Sequence, residues 1–214
     1  MENVVKVTSN FYWGKRIFIT GHTGFKGLWL SEILTLFGAE VTGYSLASPT
    51  KEGSELFDRL KLAQKMNSVY GDIRDFDALS RAIKEARPEI VLHLAAQPLV
   101  IESYRDPVGT YMTNMVGTLN LLECIRQGDT VKSFLNVTTD KVYYNREWAW
   151  GYREDESLDG FDPYSNSKSC SELVTHSYDN SFLRSMGVAV STARAGNVIG
   201  GGDFSANRIV PDCI

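Results

Sequence analysis

Tyr164 and Lys168 are spaced four residues apart in the stretch Tyr164-Ser-Asn-Ser-Lys168. On a helix, positions i and i+4 lie on the same face, so the phenol and the ammonium group can interact. The ammonium stabilises the phenolate form of the tyrosine, and a phenolate can remove a proton from a hydroxyl group. Such a pair is common in proteins and is weak evidence alone. Thr139 makes this interpretation more specific, because its side chain can hydrogen-bond the hydroxyl group from which Tyr164 would remove the proton.

Three glycines, Gly21, Gly24 and Gly27, stand between a β-rich segment at residues 17–20 and a helix-like segment at residues 28–37. A strand that turns on glycine into a helix points backbone N–H groups and the positive end of the helix dipole at one spot, which suits a pyrophosphate. Gly21 can form the turn, Gly24 lets phosphates approach the backbone, and Gly27 lets the helix pack against the strand. The alternative is a tight turn that binds no ligand.

Further polar residues come after other predicted strands. The carboxylate of Asp72 can accept a hydrogen bond from an adenine amino group, although it could also simply lead a helix. Small residues in Leu94-Ala-Ala-Gln97 would let a cofactor lie against the sheet. Asn114 is a polar residue inside a predicted helix, and solvation is its simplest explanation. His93, within an apolar run, is interpreted as a hydrogen-bonded core histidine.

These residues must be positioned by an alternating series of strands and helices. The pattern predicts strands at residues 17–20, 40–46, 68–71, 90–94, 132–138 and 188–193, and helices at 28–37, 54–65, 76–86, 107–127 and 164–186. Alternation of this kind predicts an α/β fold, a Rossmann-like doubly wound parallel sheet with right-handed crossovers. We expect residues 1–214 to form one dinucleotide-binding domain. The chain stops at Ile214 in what resembles the start of another element, so we expect a C-terminal substrate lobe to be largely missing.

Composition excludes several classes of protein. The 214 residues are 43% hydrophobic and 22% charged, and the net charge of −4 without a basic block argues against nucleic acid as a partner. No apolar run is long enough to span a membrane and no signal pattern is present, so we expect a cytoplasmic protein. The three cysteines and three histidines lack the spacing of a disulfide framework or a metal site.

The chain resembles the extended short-chain dehydrogenases/reductases that modify nucleotide sugars. Three stretches are most similar to the 4,6-dehydratases of this family that act on CDP-glucose. They are Gly21-His-Thr-Gly-Phe-Lys-Gly27, then Thr139-Asp-Lys-Val-Tyr143 with Asn145-Arg-Glu-Trp-Ala-Trp-Gly-Tyr-Arg-Glu154, and Arg194-Ala-Gly-Asn-Val-Ile-Gly-Gly-Gly-Asp203. The resemblance runs from about Phe11 to the last residue. It implies tightly held NAD, a CDP-hexose substrate and, by analogy, a homodimer or higher homo-oligomer.

The resemblance also implies a reaction. Tyr164, helped by Lys168 and Thr139, would deprotonate the C4 hydroxyl of CDP-glucose while NAD takes the C4 hydride. Asp140 as acid and Lys141 as base would then eliminate water across C5 and C6, and the hydride would return to C6. The product would be CDP-4-keto-6-deoxyglucose, a precursor of deoxysugars in surface polysaccharide such as lipopolysaccharide O-antigen. Lys141 could instead be a surface lysine or a substrate clamp.

Further roles carry over from the family by position. The cofactor-binding residues would be Gly21, Thr23, Gly24, Phe25, Lys26, Gly27, Asp72, Ile73, Ala95, Ala96, Gln97, Asn114, Tyr164 and Lys168. The substrate-binding residues would be Gln97, Ser103, Tyr104 and Asn197, and Arg194 would anchor the loop that carries Asn197. The sequence departs from the family at the end of the second strand, where Tyr44-Ser45-Leu46 lacks the acidic residue that usually binds the NAD ribose.

Two alternatives remain open. A nucleotide-sugar 4-epimerase would share the Tyr–Lys pair, but it needs no acid–base pair, so Asp140 and Lys141 argue against it. A non-catalytic NAD-binding module that serves in interaction or regulation is the other alternative, and the expected lack of a substrate lobe keeps it open.

Overall fold

A computed structural model describes residues 11–48, 50–205 and 213. Six parallel strands form one sheet in this part of the chain, in the order β3-β2-β1-β4-β5-β6. They are β1 (Arg16–Thr20), β2 (Glu40–Ser45), β3 (Asn67–Tyr70), β4 (Ile90–His93), β5 (Ser133–Val137) and β6 (Ala189–Ala193). Each predicted strand agrees with an observed one to within one residue at either end. Pro49, in the segment between the second predicted strand and the second predicted helix, and the predicted terminal element at residues 209–214, apart from Cys213, lie outside the described residues.

Helices connect the strands and cover both faces of the sheet. They are α1 (Phe25–Leu36), α2 (Lys51–Arg59), α3 (Leu62–Lys65), α4 (Phe76–Ala86), α5 (Val100–Arg105), α6 (Pro107–Tyr111), α7 (Gly117–Arg126) and α8 (Pro163–Tyr178). The fold is therefore the predicted Rossmann-like doubly wound sheet. None of the helices among the described residues is both long and apolar enough to cross a membrane.

Several helices differ from their predictions for identifiable reasons. The predicted helix at 54–65 is two helices, because Lys61 adopts a left-handed conformation with φ of 53°. The helix predicted at 107–127 contains a five-residue π-helical turn, Met112–Val116, between α6 and α7. A second π-helical turn, Asp179–Leu183, comes after α8, so the predicted 164–186 helix is not regular to its end. Helix α5 occupies a stretch for which the sequence predicted no helix.

Strand order reverses between β1 and β4, the two central strands. Thr20 and His93 are opposite each other in register at the ends of these strands. The chain leaves β1 towards one side of the sheet and β4 towards the other, which opens a crevice at their carboxyl ends. Ligands of open α/β sheets bind at such a switch point.

The core has two parts, one on each face of the sheet. One is built around Phe18, Leu79, Leu121 and Phe134 beneath α4 and α7, and the other around Ile17, Ile19, Leu28 and Phe57 beneath α1 and α2. The middle strands are buried on both faces, as parallel strands usually are. They form the rigid base on which the carboxyl-end loops rest.

Candidate active site

The three glycines of the first turn are required for different reasons. Gly21 has φ of +78°, and a Cβ there would lie 2.8 Å from the backbone nitrogen of Ala95. A Cβ on Gly27 would collide with the carbonyl oxygen of Gly21. Gly24 has an ordinary φ of −79°, and a Cβ there would meet only the Gly21 oxygen, at 3.4 Å. The fold itself therefore requires glycine at 21 and 27 but leaves open space at 24.

That open space adjoins the N-terminus of α1. Gly24 is the N-cap of the helix and supplies no side-chain hydrogen bond, and the first turn contains no acidic residue. The positive end of this 12-residue helix thus faces the crevice, and its own first turn supplies no carboxylate to neutralise it. Space at Gly24 together with a helix N-terminus that has no side-chain cap fits a pyrophosphate group.

A polar cluster that contains no acidic residue occupies the end of β2. The Ser45 hydroxyl lies 2.8 Å from Thr23 Oγ1 and 3.1 Å from His22 Nδ1, and His22 Nε2 lies 2.6 Å from the Ser68 hydroxyl. Burial lowers the pKa of His22 to about 4, so its ring is neutral near pH 7. His22 was not a predicted site residue, and only its position inside the glycine motif could have identified it.

Asp72 lies two residues after the end of β3. Arg74 binds both of its carboxylate oxygens, with Nε at 3.0 Å from each and Nη2 at 2.6 Å from Oδ2. These hydrogen bonds lower the pKa of Asp72, which stays ionised. Any ligand would have to share the carboxylate with Arg74. The Ile73 side chain is buried against Gly117 of α7 and therefore belongs to the core.

Gln97 and Asn114 lie side by side because the Asn114 side chain hydrogen-bonds the Gln97 backbone. The Asn114 side chain accepts from the Gln97 N–H at 2.8 Å and donates to the Gln97 carbonyl at 3.1 Å and to Ser167 Oγ at 2.9 Å. The Gln97 amide bonds Leu99 and Thr110. Asn114 is fully buried, so the solvation alternative is wrong for it. Both amides hold the loop after β4, whereas Ala95 and Ala96 remain half-buried at the strand end.

The predicted substrate-binding residues differ in how much of their surface is exposed. Ser103 has no exposed surface and donates its hydroxyl to the Val100 carbonyl at 2.7 Å, so it cannot contact a ligand in this structure. Tyr104, beside it on α5, is exposed. Asn197 is exposed in the segment after β6.

Helix α8 carries both Tyr164 and Lys168, and the Lys168 side chain reaches the carboxyl end of β5. Asp162 caps it by accepting from the Ser165 N–H at 3.0 Å, and Pro163 occupies its first turn. Lys168 is only 3% exposed, and its ammonium donates to the Val137 carbonyl of β5 at 3.0 Å. Burial, assisted by the positive charge of Lys26, lowers the pKa of Lys168 to about 8. The lysine thus joins the helix to the end of β5.

Thr139, Asp140 and Lys141 lie just beyond the end of β5. The Thr139 hydroxyl donates to Asp140 Oδ1 at 3.1 Å, and Lys141 Nζ pairs with the same oxygen at 3.3 Å. Thr139 is buried, whereas Asp140 and Lys141 are roughly half exposed. The carboxyl end of β5 therefore presents a hydroxyl, a carboxylate and an ammonium within one turn of chain.

His93 is the core histidine that the sequence predicted. It is 1% exposed, with Nδ1 at 2.7 Å from Thr20 Oγ1 and Nε2 at 2.9 Å from Thr118 Oγ1. The Thr118 hydroxyl donates to the Asn114 carbonyl at 2.6 Å, so it must accept from Nε2, and Nδ1 accepts from Thr20. Burial and the nearby charge of Lys168 lower the pKa of His93 to about 3.

Known proteins resemble this chain both in sequence and in the arrangement of strands. The CDP-glucose 4,6-dehydratase of Salmonella typhimurium is 52% identical over 213 residues, which cover 97% of this chain and 59% of the relative. The chain therefore spans about three fifths of the length of that relative. The epimerase Mth375 of Methanothermobacter thermautotrophicus superposes with a TM-score of 0.83 and 27% identity over 98% of this chain and 60% of its own.

The solved structure of a 4,6-dehydratase also superposes on this chain. A DesIV double mutant, a dTDP-glucose 4,6-dehydratase from Streptomyces venezuelae with NAD and DAU bound, has a TM-score of 0.77 and 28% identity, and the match covers 92% of this chain and 60% of that one. The family model described as GDP-mannose 4,6 dehydratase matches residues 18–209. The chain belongs to the GDP-mannose 4,6 dehydratase family of extended short-chain dehydrogenases/reductases.

Proposed function

We propose that this chain carries the catalytic residues of an NAD-dependent nucleotide-sugar 4,6-dehydratase that converts CDP-glucose to CDP-4-keto-6-deoxyglucose. The observation that carries the proposal is the Asp140–Lys141 pair directly after Thr139, at the same strand end that Lys168 contacts. An oxidising Tyr–Lys pair serves several reactions of nucleotide sugars, whereas an added acid and base serve elimination. The 52% identical CDP-glucose 4,6-dehydratase supports the choice of substrate.

The cofactor would lie across the switch point. Its pyrophosphate would occupy the open space at Gly24 and face the N-terminus of α1. Ala95 and Ala96 would allow the nicotinamide half to approach the end of β4. When bound, NAD would supply the reversible hydride chemistry, accepting from C4 of the hexose and returning to C6. The neutral cluster of His22, Thr23 and Ser45 would face the adenosine ribose.

Tyr164, Lys168 and Thr139 would act in the oxidising step. Tyr164 would remove the proton of the C4 hydroxyl, and Thr139 would orient that hydroxyl. The buried ammonium of Lys168 would stabilise the phenolate, because a positive charge in a desolvated site acts strongly on a neighbouring anion. Anchoring to the Val137 carbonyl keeps that charge in place.

Asp140 and Lys141 would act in the elimination step. A ketone at C4 makes the C5 proton acidic, so a base can remove it while an acid protonates the departing C6 oxygen as water. Lys141 Nζ lies 3.3 Å from Asp140 Oδ1, so a proton of the ammonium group can pass directly to the carboxylate. Transfer of that proton to Asp140 leaves a neutral amine and a carboxylic acid. The pair then contains both the base and the acid, with no change in its total protons.

Product analysis tests the proposal. The chain is incubated with CDP-glucose and with an amount of NAD that is substoichiometric to the CDP-glucose. The nucleotide sugar is then examined by mass spectrometry. We expect a product lighter than CDP-glucose by one water, formed slowly but in excess over NAD, and less of it from UDP-glucose or dTDP-glucose. A CDP-hexose isomer of unchanged mass would indicate a 4-epimerase. Binding of NAD without binding of CDP-glucose would indicate a non-catalytic module.

A further inference from the structure

A buried ion pair lies next to the residues of the proposed reaction but takes no part in the chemistry described above. Arg194, just after β6, binds Glu172 of α8 with Nε at 2.9 and 3.0 Å from the two carboxylate oxygens and Nη2 at 2.6 Å from Oε2. The side chains are 16% and 4% exposed. Such planar two-point geometry is particular to arginine.

Glu172 connects the pair to both α8 and β5. Tyr164, Lys168 and Glu172 are spaced by four residues, so they succeed one another on a single face of the helix. The Glu172 carboxylate also accepts from Thr138 Oγ1 at 2.5 Å. Since Thr138 directly precedes Thr139, this contact fixes where the segment 139–141 begins relative to the face that carries Tyr164.

Arg194 connects the pair to residues beyond the far end of the same segment. Its guanidinium lies over the Tyr143 ring, with Cζ at 4.7 Å from the ring centroid, and Nη1 donates to the Glu154 carbonyl at 2.9 Å. Backbone bonds on either side of Arg194 extend the contact. They are Thr138 N–H to Ala193 O at 2.8 Å and Asp140 N–H to Ala195 O at 3.0 Å. Residues 139–141 are therefore held at both ends by groups bound to one ion pair.

We propose that Arg194 and Glu172 are positioning residues that hold Asp140 and Lys141 in register with Tyr164 and Lys168. Within the proposed function, on which this inference rests, the register lets one bound hexose be oxidised at C4 and dehydrated across C5 and C6 without moving. A lysine at 194 would keep the charge that neutralises Glu172. It would lose the two-point contact, the bond to Glu154 and the flat face against Tyr143.

Hydrogen exchange of the folded chain tests the positioning directly and needs no turnover. In Arg194→Lys we expect amides of residues 139–144 to exchange about tenfold faster or more, while those of β1 and α1 keep their wild-type rates. Arg126→Lys is the matched control, because Arg126 makes a similar two-point contact with Glu123 within α7. Unchanged exchange at 139–144, or an equal increase throughout the sheet, would overturn the proposal.

A second variant, Thr138→Val, tests the same proposal if Arg194→Lys does not fold. Thr138→Val removes only the hydroxyl that Glu172 accepts from and keeps a side chain of similar shape. It should also raise exchange at residues 139–144, by a smaller factor, and the absence of any increase there would contradict the positioning role.

A product ratio gives the functional measurement. With NAD and CDP-glucose, Arg194→Lys should raise the fraction of oxidised but undehydrated hexose in acid-quenched samples at least about fivefold over wild type, because the acid–base segment loses its register while Tyr164 does not. An unchanged ratio would overturn the proposal. If wild type gives no dehydrated product, the proposed function fails, whereas the exchange measurement still decides whether the ion pair holds the segment.

Discussion

The ammonium group of Lys168 donates to the backbone carbonyl of Val137 at 3.0 Å and lies in a site that leaves the lysine 3% exposed. This contact joins the helix that carries Tyr164 to the strand that leads into Thr139. It also places a positive charge inside the protein, where water cannot stabilise it. The pKa of Lys168 falls to about 8 for that reason, with a contribution from Lys26.

Lys168 therefore makes stability depend on pH in a defined direction. Its pKa is about 8 in the folded chain against an ordinary value of 10.5, so between these pH values the unfolded chain holds the proton and the folded chain does not. The contribution of Lys168 to the free energy of unfolding rises with pH through this window and is lost as pH falls to 8. The free energy of unfolding of Lys168→Met minus that of wild type should therefore be larger at pH 7 than at pH 10, by up to about 3 kcal/mol.

Urea denaturation at pH 7 and pH 10 measures the two differences. Lys84→Met, at an exposed position of α4, is the control and should give the same difference at both pH values. A pH-independent effect of Lys168→Met would show that the buried lysine does not titrate in this window.

Gly24→Val tests the phosphate site at the glycine turn. The backbone at Gly24 tolerates a side chain, so the variant should fold with nearly unchanged stability. The valine would fill the space proposed for the pyrophosphate, so NAD affinity measured by calorimetry should fall about 100-fold or more, equivalent to about 3 kcal/mol. Gly128→Val, where a Cβ also meets only ordinary contacts, should bind NAD as wild type does. Unchanged NAD affinity in a folded Gly24→Val chain would refute the assignment.

Lys141→Met separates oxidation from elimination. Tyr164, Lys168 and Thr139 are untouched in this variant, so C4 oxidation should continue, while removal of the C5 proton should slow at least about 100-fold. Mass spectrometry of acid-quenched single-turnover samples should find the oxidised hexose and little dehydrated product. Tyr164→Phe is the matched comparison and should give neither. Dehydrated product at the wild-type rate from Lys141→Met would mean that another group removes the C5 proton.

The fold could be predicted from the sequence because strands and turns carry local signals. The apolar run at Ile90–His93 and the glycines at 21, 24 and 27 fixed the ends of β4 and β1 closely. The left-handed residue Lys61 and the π-helical turn at Met112–Val116 were missed, because apolar spacing over a whole segment indicates a helix without revealing the backbone conformation of a single residue or turn. Helix α1 begins at Phe25, three residues before the prediction, since its first turn lies within the glycine motif itself.

The candidate site was only partly predictable because residue type does not reveal which hydrogen bonds are already satisfied. Ser103 and Gln97 are polar residues near the crevice, yet both side chains bond the local backbone. Conversely, Glu172 and Arg194 lie 22 residues apart, and only the packing of β6 beside β5 brings them together. The acidic residue one turn after Lys168 was a signal that could have been noticed.

An isotopic label in the substrate tests the central claim most directly. CDP-glucose carrying deuterium at C4 is incubated with the chain and NAD, and the product is examined by NMR and mass spectrometry. A 4,6-dehydratase should yield a 4-keto-6-deoxyhexose that has lost one water and carries the deuterium in its C6 methyl group. Recovery of an unlabelled methyl group, or of a CDP-hexose isomer that keeps deuterium at C4, would contradict the account.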